Sequence, residues 1–305
     1  MRIKSVSFIS FLESRINYLN DCRRYGTASN YRRALSSLHK FLDGKELLFS
    51  DITSSFVEEY QDWLLKRGMV RNSVSFHMRI LRAVFNKGVR LGYANKTFPF
   101  EYTYTGIDKT TQRYVSDKVI KLLVELDLGG EPLLEMTRDI FLFGLYARGM
   151  AFVDIAHLRQ ENILGQEIVY CRQKTGQCLR VRIEQPMLEI IHKYSNDTGY
   201  VFPLLSETVG ASPEMIHRMY CQALSLYNYR LKRLAKLLGT GISLSSYTAR
   251  HTWANLAAKL EVPLTVISEG MGHTSVRTTQ IYLARMEPAI IDQANRKILD
   301  SITLR

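Results

Sequence analysis

The hydrophobic positions in the first 93 residues recur every three to four residues, which is the spacing of amphipathic helices. This pattern predicts four helices, over residues 5–20, 27–43, 54–67 and 72–91. Gly26 interrupts the pattern, and Thr27 provides a side-chain cap for the second helix. Ser55 and Glu58 have the spacing of a capping box at the start of the third helix. The first part of the chain is therefore predicted to be a helical bundle.

The predicted fourth helix has two chemically different faces. Its cations fall within an arc of about 140° at 100° per residue, and they are Arg79, Arg82, Lys87 and Arg90. Its apolar side chains fall on the opposite side, and they are Val74, Met78, Ile80, Leu81, Val84, Phe85, Val89 and Leu91. We expect the apolar face to pack in the bundle and the cations to contact the phosphates of a nucleic acid, although a solvated charged face has the same pattern.

The pattern changes after a Thr-rich segment that contains Pro99 and Gly106. Helical spacing then predicts helices at 116–127, 132–147, 187–195, 213–238, 247–260 and 263–271. Between the second and third of these, apolar residues alternate with arginines from Leu179 to Ile183, which is typical of a half-buried strand. Lys174, Thr175 and Gly176 lie between this strand and a similar preceding one, and predict a hairpin turn.

These elements predict a mainly α-helical protein with a small β-sheet in its second domain. A length of 305 residues also favours two domains, at roughly 150 residues each. We place the first domain at residues 1–98, a linker at 99–113 and the second domain at 114–305. An apolar stripe near the end of the chain predicts a tail helix at about 286–305.

The charge of the chain points to a polyanionic partner. Lys and Arg total 41 against 29 Asp and Glu, which gives a net charge of +12. The excess is concentrated at the start, because residues 1–105 hold 17 basic and 9 acidic side chains, a net charge of +8. Nucleic acid is the favoured partner, and an acidic membrane surface is the alternative. Apolar runs never approach the ~18 residues of a membrane span, so a cytoplasmic protein without a membrane association is expected.

The cysteines give little indication of a metal or of an extracellular location. Cys22, Cys171, Cys178 and Cys221 form no CxxC pair and no Cys/His ligand spacing, so no metal site is expected. Cys171 and Cys178 could face each other across a hairpin, but we expect buried, reduced thiols.

Five places in the second domain have side chains suited to phosphate chemistry. They are Arg148, Lys174, the pair Tyr247 and Arg250, Gly272-His273, and Tyr282. The order Arg, Lys, Tyr-x-x-Arg, Gly-His, Tyr, with nine residues from His273 to Tyr282, resembles the tyrosine site-specific recombinases of the phage integrase type. The similarity is greatest to integrases of Bacteroides-type bacteria and their mobile elements, and it extends over nearly the whole chain.

This resemblance implies an architecture and an activity. The N-terminal bundle would be the core-binding domain and the second domain the catalytic one. The enzyme would cut and rejoin double-stranded DNA through a 3′-phosphotyrosine intermediate, without a cofactor. Four protomers would act on two sites through a Holliday junction, with a monomer expected in the absence of DNA. The tail would dock on a neighbouring protomer, with packing on its own domain as the alternative.

The chemistry of each residue type fits these roles. Two guanidinium forks, from Arg148 and Arg250, suit the oxygens of a scissile phosphate. Lys174 at a hairpin tip can protonate the departing 5′ oxygen. Tyr282 is the candidate nucleophile, and His273 can hydrogen-bond a non-bridging oxygen. The alternatives are an ion pair of Arg148, a solvated lysine, a packing tyrosine and a capping histidine.

Three further residues have expected roles that are less direct. By the resemblance, Asp154 occupies the acidic position that follows the first arginine, and it would orient its neighbours or ion-pair with Arg148. Tyr247 stands where the family most often has histidine. A phenol donates a hydrogen bond but accepts a proton poorly near neutral pH, so activation of Tyr282 is expected to fall on His273 and water. His251 points about 100° away from Arg250 on a helix and is expected to be structural.

Two other functions fit parts of the sequence. Tyr247 allows a DNA-binding protein of the same fold with impaired catalysis, whereas the five remaining candidate residues favour an enzyme. A type IB topoisomerase would share the phosphotyrosine chemistry, but the separate helical domain fits a recombinase better. The sequence does not distinguish integration from excision or inversion.

Overall fold

The fold is mainly helical in both of the compact units into which the chain divides, residues 1–110 and 111–305. A computed structural model describes residues 6–108, 114–205, 210–280, 282–283 and 296. Among the described residues of the second unit, three short strands form a small sheet. The predicted fold class, mainly α with a small sheet in the second part of the chain, is confirmed.

Over residues 6–108, the described part of the first unit, four helices form a bundle around an aromatic-rich core. The helices are α1 (Phe8–Asp21), α2 (Tyr25–Leu42), α3 (Ser54–Lys66) and α4 (Arg71–Arg90), with a 3₁₀ turn at Phe49–Asp51. Helix α1 packs against α2 and α4, and α3 packs against α4. Phe8, Tyr60 and Phe85 are almost completely buried where these helices meet. Burial of such large apolar side chains supplies most of the driving force for the bundle.

Two predicted helix caps in this unit are wrong. The chain reverses at Arg23, whose φ of 56° is left-handed, so α2 already begins at Tyr25. Gly26 therefore lies inside the first turn of α2, and Thr27 is not its cap. Helix α3 is capped by Thr53, whose hydroxyl oxygen accepts from the Phe56 N–H at 3.2 Å, so the predicted capping box is wrong too.

Helix α4 has the two faces that its sequence predicts. Its buried residues are Val74, Ser75, His77, Met78, Ile80, Leu81, Val84, Phe85 and Gly88. Arg82 and Arg90 are exposed, and Arg79 and Lys87 are half-buried. Leu91 was expected on the packed face but is 48% exposed, because α4 ends at Arg90.

The segment after α4 folds back onto that helix. The Ser75 hydroxyl donates to the Gly106 carbonyl at 2.6 Å. The Asn72 side chain exchanges two hydrogen bonds with the backbone of Asp108, at 2.7 and 3.0 Å. These bonds satisfy backbone groups of a segment that has no regular structure of its own.

The second unit is built around one central helix. Its helices are α5 (Asp117–Glu125), α6 (Pro132–Tyr146), α7 (Phe152–Ala156), α8 (Gln185–Lys193), α9 (Pro213–Leu237), α10 (Thr248–Lys259), α11 (Leu264–Gly270) and α12 (Val276–Gln280). Its strands are β1 (Ile163–Leu164), β2 (Glu167–Cys171) and β3 (Cys178–Arg182). Helix α6 packs against α5, α7, α8, α9 and α10. Ile140 to Leu145 are all buried, because this second half of the helix carries no charged side chain and other elements surround it.

The sheet is antiparallel in the order β1-β2-β3, and β2 and β3 form the predicted hairpin. Ile168 pairs with Val181, and both side chains are buried. At the end of the ladder next to the turn, Cys171 pairs with Cys178, and the two form a disulfide. Both cysteines are exposed, so the expectation of buried, reduced thiols at these positions is wrong. The register of the hairpin places the two side chains directly opposite each other, which sequence spacing left open.

None of the helices in the described ranges combines the length and hydrophobicity needed to cross a bilayer. Within those ranges, no group of three or more His, Cys, Asp or Glu residues is arranged to hold a metal ion. The predicted tail helix at about 286–305 lies outside the described residues, apart from Arg296.

Candidate active site

Arg148 lies in a tight turn that directly follows the central helix. Helix α6 ends at Tyr146, and Arg148 and Gly149 then adopt left-handed φ values of 57° and 70°. A left-handed conformation is uncommon for a residue other than glycine. It leaves Arg148 exposed between two buried neighbours, with Nη1 donating to the Arg180 carbonyl at 3.3 Å.

Arg250 is buried in α10, where backbone carbonyls hold its guanidinium. Nη1 donates to the Gly149 carbonyl at 2.7 Å, and Nη2 donates to the Met271 carbonyl at 2.5 Å. A side chain at position 149 would not fit, because a Cβ there would lie 3.0 Å from Arg250 Cα. The glycine after Arg148 therefore lets Arg250 pack closely against the turn that carries Arg148.

The electrostatics of Arg250 favour an anionic ligand. Burial lowers the pKa of Arg250, and the charge of Arg172 lowers it further. Arg250 Nε is buried and has no hydrogen-bond partner among the described residues. A buried donor without an acceptor is costly, so an incoming phosphate oxygen would stabilise this side chain.

His273 is held as a neutral imidazole beside Arg250. It lies just after α11, at the point where Gly272 turns the chain with a φ of 64°. Arg250 Nη2 donates to His273 Nε2 at 2.9 Å, so we assign the ring proton to Nδ1, which donates to Thr279 Oγ1 at 2.8 Å. Burial, followed by the charges of Arg250, Arg172 and Lys174, lowers the pKa of His273 to about 4. The Nε2 lone pair is thus a proton acceptor at neutral pH.

The ring of Tyr282 lies between two histidines. Its centroid is 4.6 Å from that of His251 and 5.0 Å from that of His273. The guanidinium carbon of Arg250 is 5.6 Å from the same ring. The Tyr282 carbonyl accepts from the Asn255 amide at 2.8 Å, which anchors the backbone to α10. The structure therefore brings the candidate nucleophile next to Arg250 and His273 of its own chain.

Lys174 is exposed at the tip of the β2–β3 hairpin, as predicted. The turn is closed by two backbone bonds, from Arg172 N–H to the Gln177 carbonyl at 2.9 Å and from Gly176 N–H to the Arg172 carbonyl at 2.8 Å. The charge of Lys174 contributes to the lowered pKa of His273. The hairpin thus presents its cation on the side of the unit that holds His273.

Asp154 is almost completely buried beneath this hairpin. Oδ1 accepts from the Gln173 backbone N–H at 2.9 Å, and Oδ2 lies 3.8 Å from Arg172 Nε. Burial raises the pKa of Asp154, and this hydrogen bond and the Arg172 charge oppose the rise. In the described residues, the ion pair of Asp154 is made by Arg172, so the alternative of an Arg148–Asp154 pair is wrong.

Tyr247 precedes α10 by one residue and is 43% exposed, whereas Arg250, one turn later, is 2% exposed. The phenol therefore lies at the surface of the site, where a hydroxyl donor would meet solvent or substrate. The four α4 cations, Arg79, Arg82, Lys87 and Arg90, belong to the other compact unit.

Two residues near the site were not predicted to contribute to it. Arg172 stands two positions before Lys174, where β2 ends, and its side chain turns inward although its sequence neighbours are exposed. His251 was expected to be structural, but its ring packs on Tyr282. The sequence shows only that His251 lies next to Arg250. Its contact with Tyr282 joins two separate segments of the chain, and sequence position does not indicate such a tertiary contact.

Comparison with protein families assigns both parts of the chain. Residues 7–104 match the phage integrase SAM-like domain. Residues 113–287, more than half of the chain, match the phage integrase family.

Individual relatives are distant in sequence but cover most of the chain. Tyrosine recombinase XerD of Pseudomonas aeruginosa is 22% identical over 261 residues, which are 84% of this chain and 85% of XerD. Tyrosine recombinase XerC of Roseiflexus castenholzii is 25% identical over 279 residues, 89% of this chain and 87% of XerC.

Solved structures share the fold. A Tn1549 transposon integrase in complex with a circular intermediate DNA aligns with a TM-score of 0.69 at 12% identity, covering 96% of this chain and 100% of that one. A lambda integrase tetramer bound to a Holliday junction aligns with a TM-score of 0.65 at 15% identity, covering 93% of this chain and 80% of that one. The chain belongs to the phage integrase family of tyrosine recombinases.

Proposed function

We propose that this chain is a site-specific DNA recombinase that cuts one DNA strand by attack of the Tyr282 hydroxyl on a phosphodiester. The Tyr282 oxygen bonds to phosphorus, the bond from phosphorus to the 5′ oxygen breaks, and a 3′-phosphotyrosine and a 5′-hydroxyl strand result. The observation that carries this proposal is the placement of the Tyr282 ring beside Arg250 and His273.

The scissile phosphate would lie between Arg148 and Arg250. Arg148 is exposed and able to reach substrate, and Arg250 offers a buried Nε without a partner among the described residues. Guanidinium groups stabilise the negative charge that builds on phosphate oxygens in the transition state. When the phosphate arrives, Arg250 would exchange its bond to His273 Nε2 for a phosphate oxygen.

Two proton transfers complete the step. His273, neutral and with Nε2 as acceptor, would take the proton of the Tyr282 phenol, with water able to share this task. Lys174 would give a proton to the departing 5′ oxygen. Strand rejoining reverses both transfers, with the 5′-hydroxyl as the nucleophile. The phosphotyrosine bond conserves the energy of the cleaved backbone, so the proposal includes no cofactor.

Tyr247 and Asp154 would assist without exchanging protons with DNA. The exposed Tyr247 hydroxyl can donate a hydrogen bond to the phosphate, which matches the donor capacity of a phenol. Asp154 holds Arg172 and the backbone of Gln173, so it would orient the Lys174 hairpin.

Double-stranded DNA and further copies of the chain are the proposed partners, and the cytoplasm is the proposed location. The domain with residues 1–98 would bind DNA through Arg79, Arg82, Lys87 and Arg90, and the domain with residues 114–305 would catalyse. Lambda integrase, whose fold this chain shares, is a tetramer on a Holliday junction. We propose the same assembly here, four protomers on two paired sites.

Covalent capture tests the proposed function. A binding site is first selected from a random duplex library, and the selected duplex is then nicked near each candidate scissile position. The wild-type chain, Tyr282→Phe and Tyr247→Phe are incubated with these duplexes and denatured. We expect a covalent adduct with wild type, none with Tyr282→Phe, and a slowed but measurable adduct with Tyr247→Phe.

The other functions have distinct outcomes in the same experiment. Tight binding of a selected duplex without any adduct would indicate a DNA-binding protein without catalysis. Relaxation of a supercoiled plasmid that lacks the selected site would indicate a topoisomerase. Loss of the adduct in both variants would give Tyr247 an essential role.

A further inference from the structure

Arg172 is a buried cation between the hairpin and the segment that holds His273, and the cleavage step proposed above does not use it. Its side chain is 6% exposed. Nη1 donates to the Gly272 carbonyl, and Nε forms an ion pair with Asp154 Oδ2 at 3.8 Å, although Nε has no hydrogen-bond partner among the described residues. A buried guanidinium is retained only with specific acceptors, so these contacts fix where the side chain lies.

The same residue closes the turn that carries Lys174. Its backbone makes the two hydrogen bonds to Gly176 and Gln177 that form the turn. Asp154 also contacts this turn directly, because its carboxylate accepts a hydrogen bond from the Gln173 backbone N–H. Backbone bonds would persist after most substitutions at position 172, whereas the links to Asp154 and Gly272 depend on the guanidinium.

Packing around Gly272 shows how closely the two segments approach. A Cβ at Gly272 would lie 2.8 Å from Arg172 Cδ and 2.8 Å from Leu179 Cδ1. Gly272 also has a left-handed φ of 64°. The hairpin and the Gly272-His273 segment therefore fit together with no room for a methyl group. The charges of Arg172 and Lys174 both contribute to the lowered pKa of His273, which places them within electrostatic range of the reacting groups.

We propose that Arg172 is a positioning residue for DNA cleavage. Its guanidinium joins the Lys174 hairpin to the Gly272-His273 segment, so that the proton donor for the 5′ oxygen is held over the phosphate bound by Arg250. This inference rests on the proposed function and deepens it. Without the guanidinium, the hairpin keeps its turn but loses its attachment, and Lys174 protonates the leaving group less often.

A substrate with a sulfur leaving group separates this role from a general structural one. The selected duplex is made in two forms, with oxygen or with sulfur at the scissile 5′ position. A thiol has a pKa near 8.5, so a thiolate departs without a proton, whereas an alkoxide needs one. The sulfur substrate should therefore restore the cleavage rate of a variant whose defect is poor proton donation by Lys174. It should not restore the rate of a variant whose fold or phosphate site is damaged.

The variants are Arg172→Gln, Arg172→Lys, Lys174→Ala and, as a matched control, Arg182→Gln. Arg182 is an exposed arginine on the same hairpin, with its side chain 70% exposed. Thermal unfolding and DNA affinity are measured for each before single-turnover cleavage. Arg172→Lys keeps a cation near Asp154 but cannot reach both acceptors, so it should lie between wild type and Arg172→Gln.

With the oxygen substrate, we expect Arg172→Gln to cleave at least about tenfold more slowly than wild type. A general acid typically contributes about 10²–10⁴-fold to a rate, and we expect Arg172→Gln to lose part of that contribution. With the sulfur substrate, Arg172→Gln and Lys174→Ala should both cleave within about threefold of wild type. Equal losses on both substrates, or no loss on oxygen, would overturn the inference. If the wild-type chain cleaves DNA but the sulfur substrate does not rescue Lys174→Ala, the inference is also wrong. If the wild-type chain cleaves neither duplex, the proposed function itself is wrong.

Discussion

Arg250 Nη2 donates a hydrogen bond to His273 Nε2 at 2.9 Å. The two residues come from different segments, 23 positions apart, and meet beside the Tyr282 ring. The bond orients a cation that can bind phosphate and a neutral base that can receive the phenol proton. It joins the two residues for which we propose phosphate binding and acceptance of the Tyr282 proton.

The stability of the protein should depend on pH through His273. Its pKa is about 4 in the folded chain and about 6.5 when unfolded, so the unfolded chain binds the proton first as the pH falls. The contribution is complete above pH 6.5 and is lost as the pH falls through 4. After allowance for solvent screening, we expect a loss of about 1–2 kcal/mol.

Chemical denaturation between pH 7 and 4 would measure this loss, with His273→Gln as the comparison. The variant should lose less stability over this range than wild type, because it has no imidazole to protonate. Parallel curves for the two proteins would show that His273 is not responsible.

Gly149→Ala should damage both stability and cleavage. The new Cβ would lie 3.0 Å from Arg250 Cα, at a φ of +70° that alanine adopts only with strain. Gly165→Ala is a matched control, because Gly165 has a φ of +63° and a Cβ there would meet nothing within 4 Å. We expect the control to cost about 1 kcal/mol and Gly149→Ala about 2–3 kcal/mol, with a loss of adduct formation in Gly149→Ala alone. Similar effects of both substitutions would mean that contact with Arg250 is unimportant.

His251→Ala should slow cleavage without weakening DNA binding. The His251 ring packs on Tyr282 at 4.6 Å, so its removal gives the nucleophile more freedom. We expect about a tenfold lower single-turnover rate, since small losses of alignment are costly in catalysis. His251→Phe keeps a ring at this position and should retain most of the rate. An unchanged cleavage rate in His251→Ala would show that His251 has only a structural role.

The cations of α4 should contribute to DNA affinity through phosphates. Arg82 and Arg90 are exposed, so each can reach the backbone of a bound duplex. Replacing either with Gln should reduce the slope of log affinity against log salt by about one, equally for cognate and unrelated duplexes. Titrations at several salt concentrations measure this slope. An unchanged slope would mean that this face of α4 is simply solvated.

The disulfide should be visible in a thiol count. Cys171 and Cys178 are joined, which leaves the thiols of Cys22 and Cys221. Protein purified without reductant and then unfolded should therefore react with two equivalents of a thiol reagent, and with four after reduction. Four equivalents before reduction would show that the hairpin cysteines are thiols.

Sequence periodicity predicted the helices because their buried faces are regular. The α4 stripe and the alternation around Val181 indicated which side chains pack, and the structure has both. Gly26 was misleading, because the chain reverses at Arg23, whose left-handed backbone no composition rule indicates. The sequence pattern therefore located the helices and strands more accurately than it located their first and last residues.

The site was predictable only as a set of chemical groups in a familiar order. The structure brings Arg250, His273 and Tyr282 together, but it also adds Arg172, which depends on tertiary contacts with Asp154 and Gly272. The pairing of Cys171 with Cys178 likewise depends on strand register. The similarity to Bacteroides-type integrases and the roles of the individual site residues stay predictions.

The most direct test of this account is to identify the residue that becomes bonded to DNA. The captured adduct is digested with nuclease and trypsin, and the modified peptide is sequenced by mass spectrometry. We predict a nucleotide joined through its 3′ phosphate to Tyr282, in the tryptic peptide spanning residues 278–285. A nucleotide attached to any other residue, or an adduct that persists in Tyr282→Phe, would show that Tyr282 is not the nucleophile.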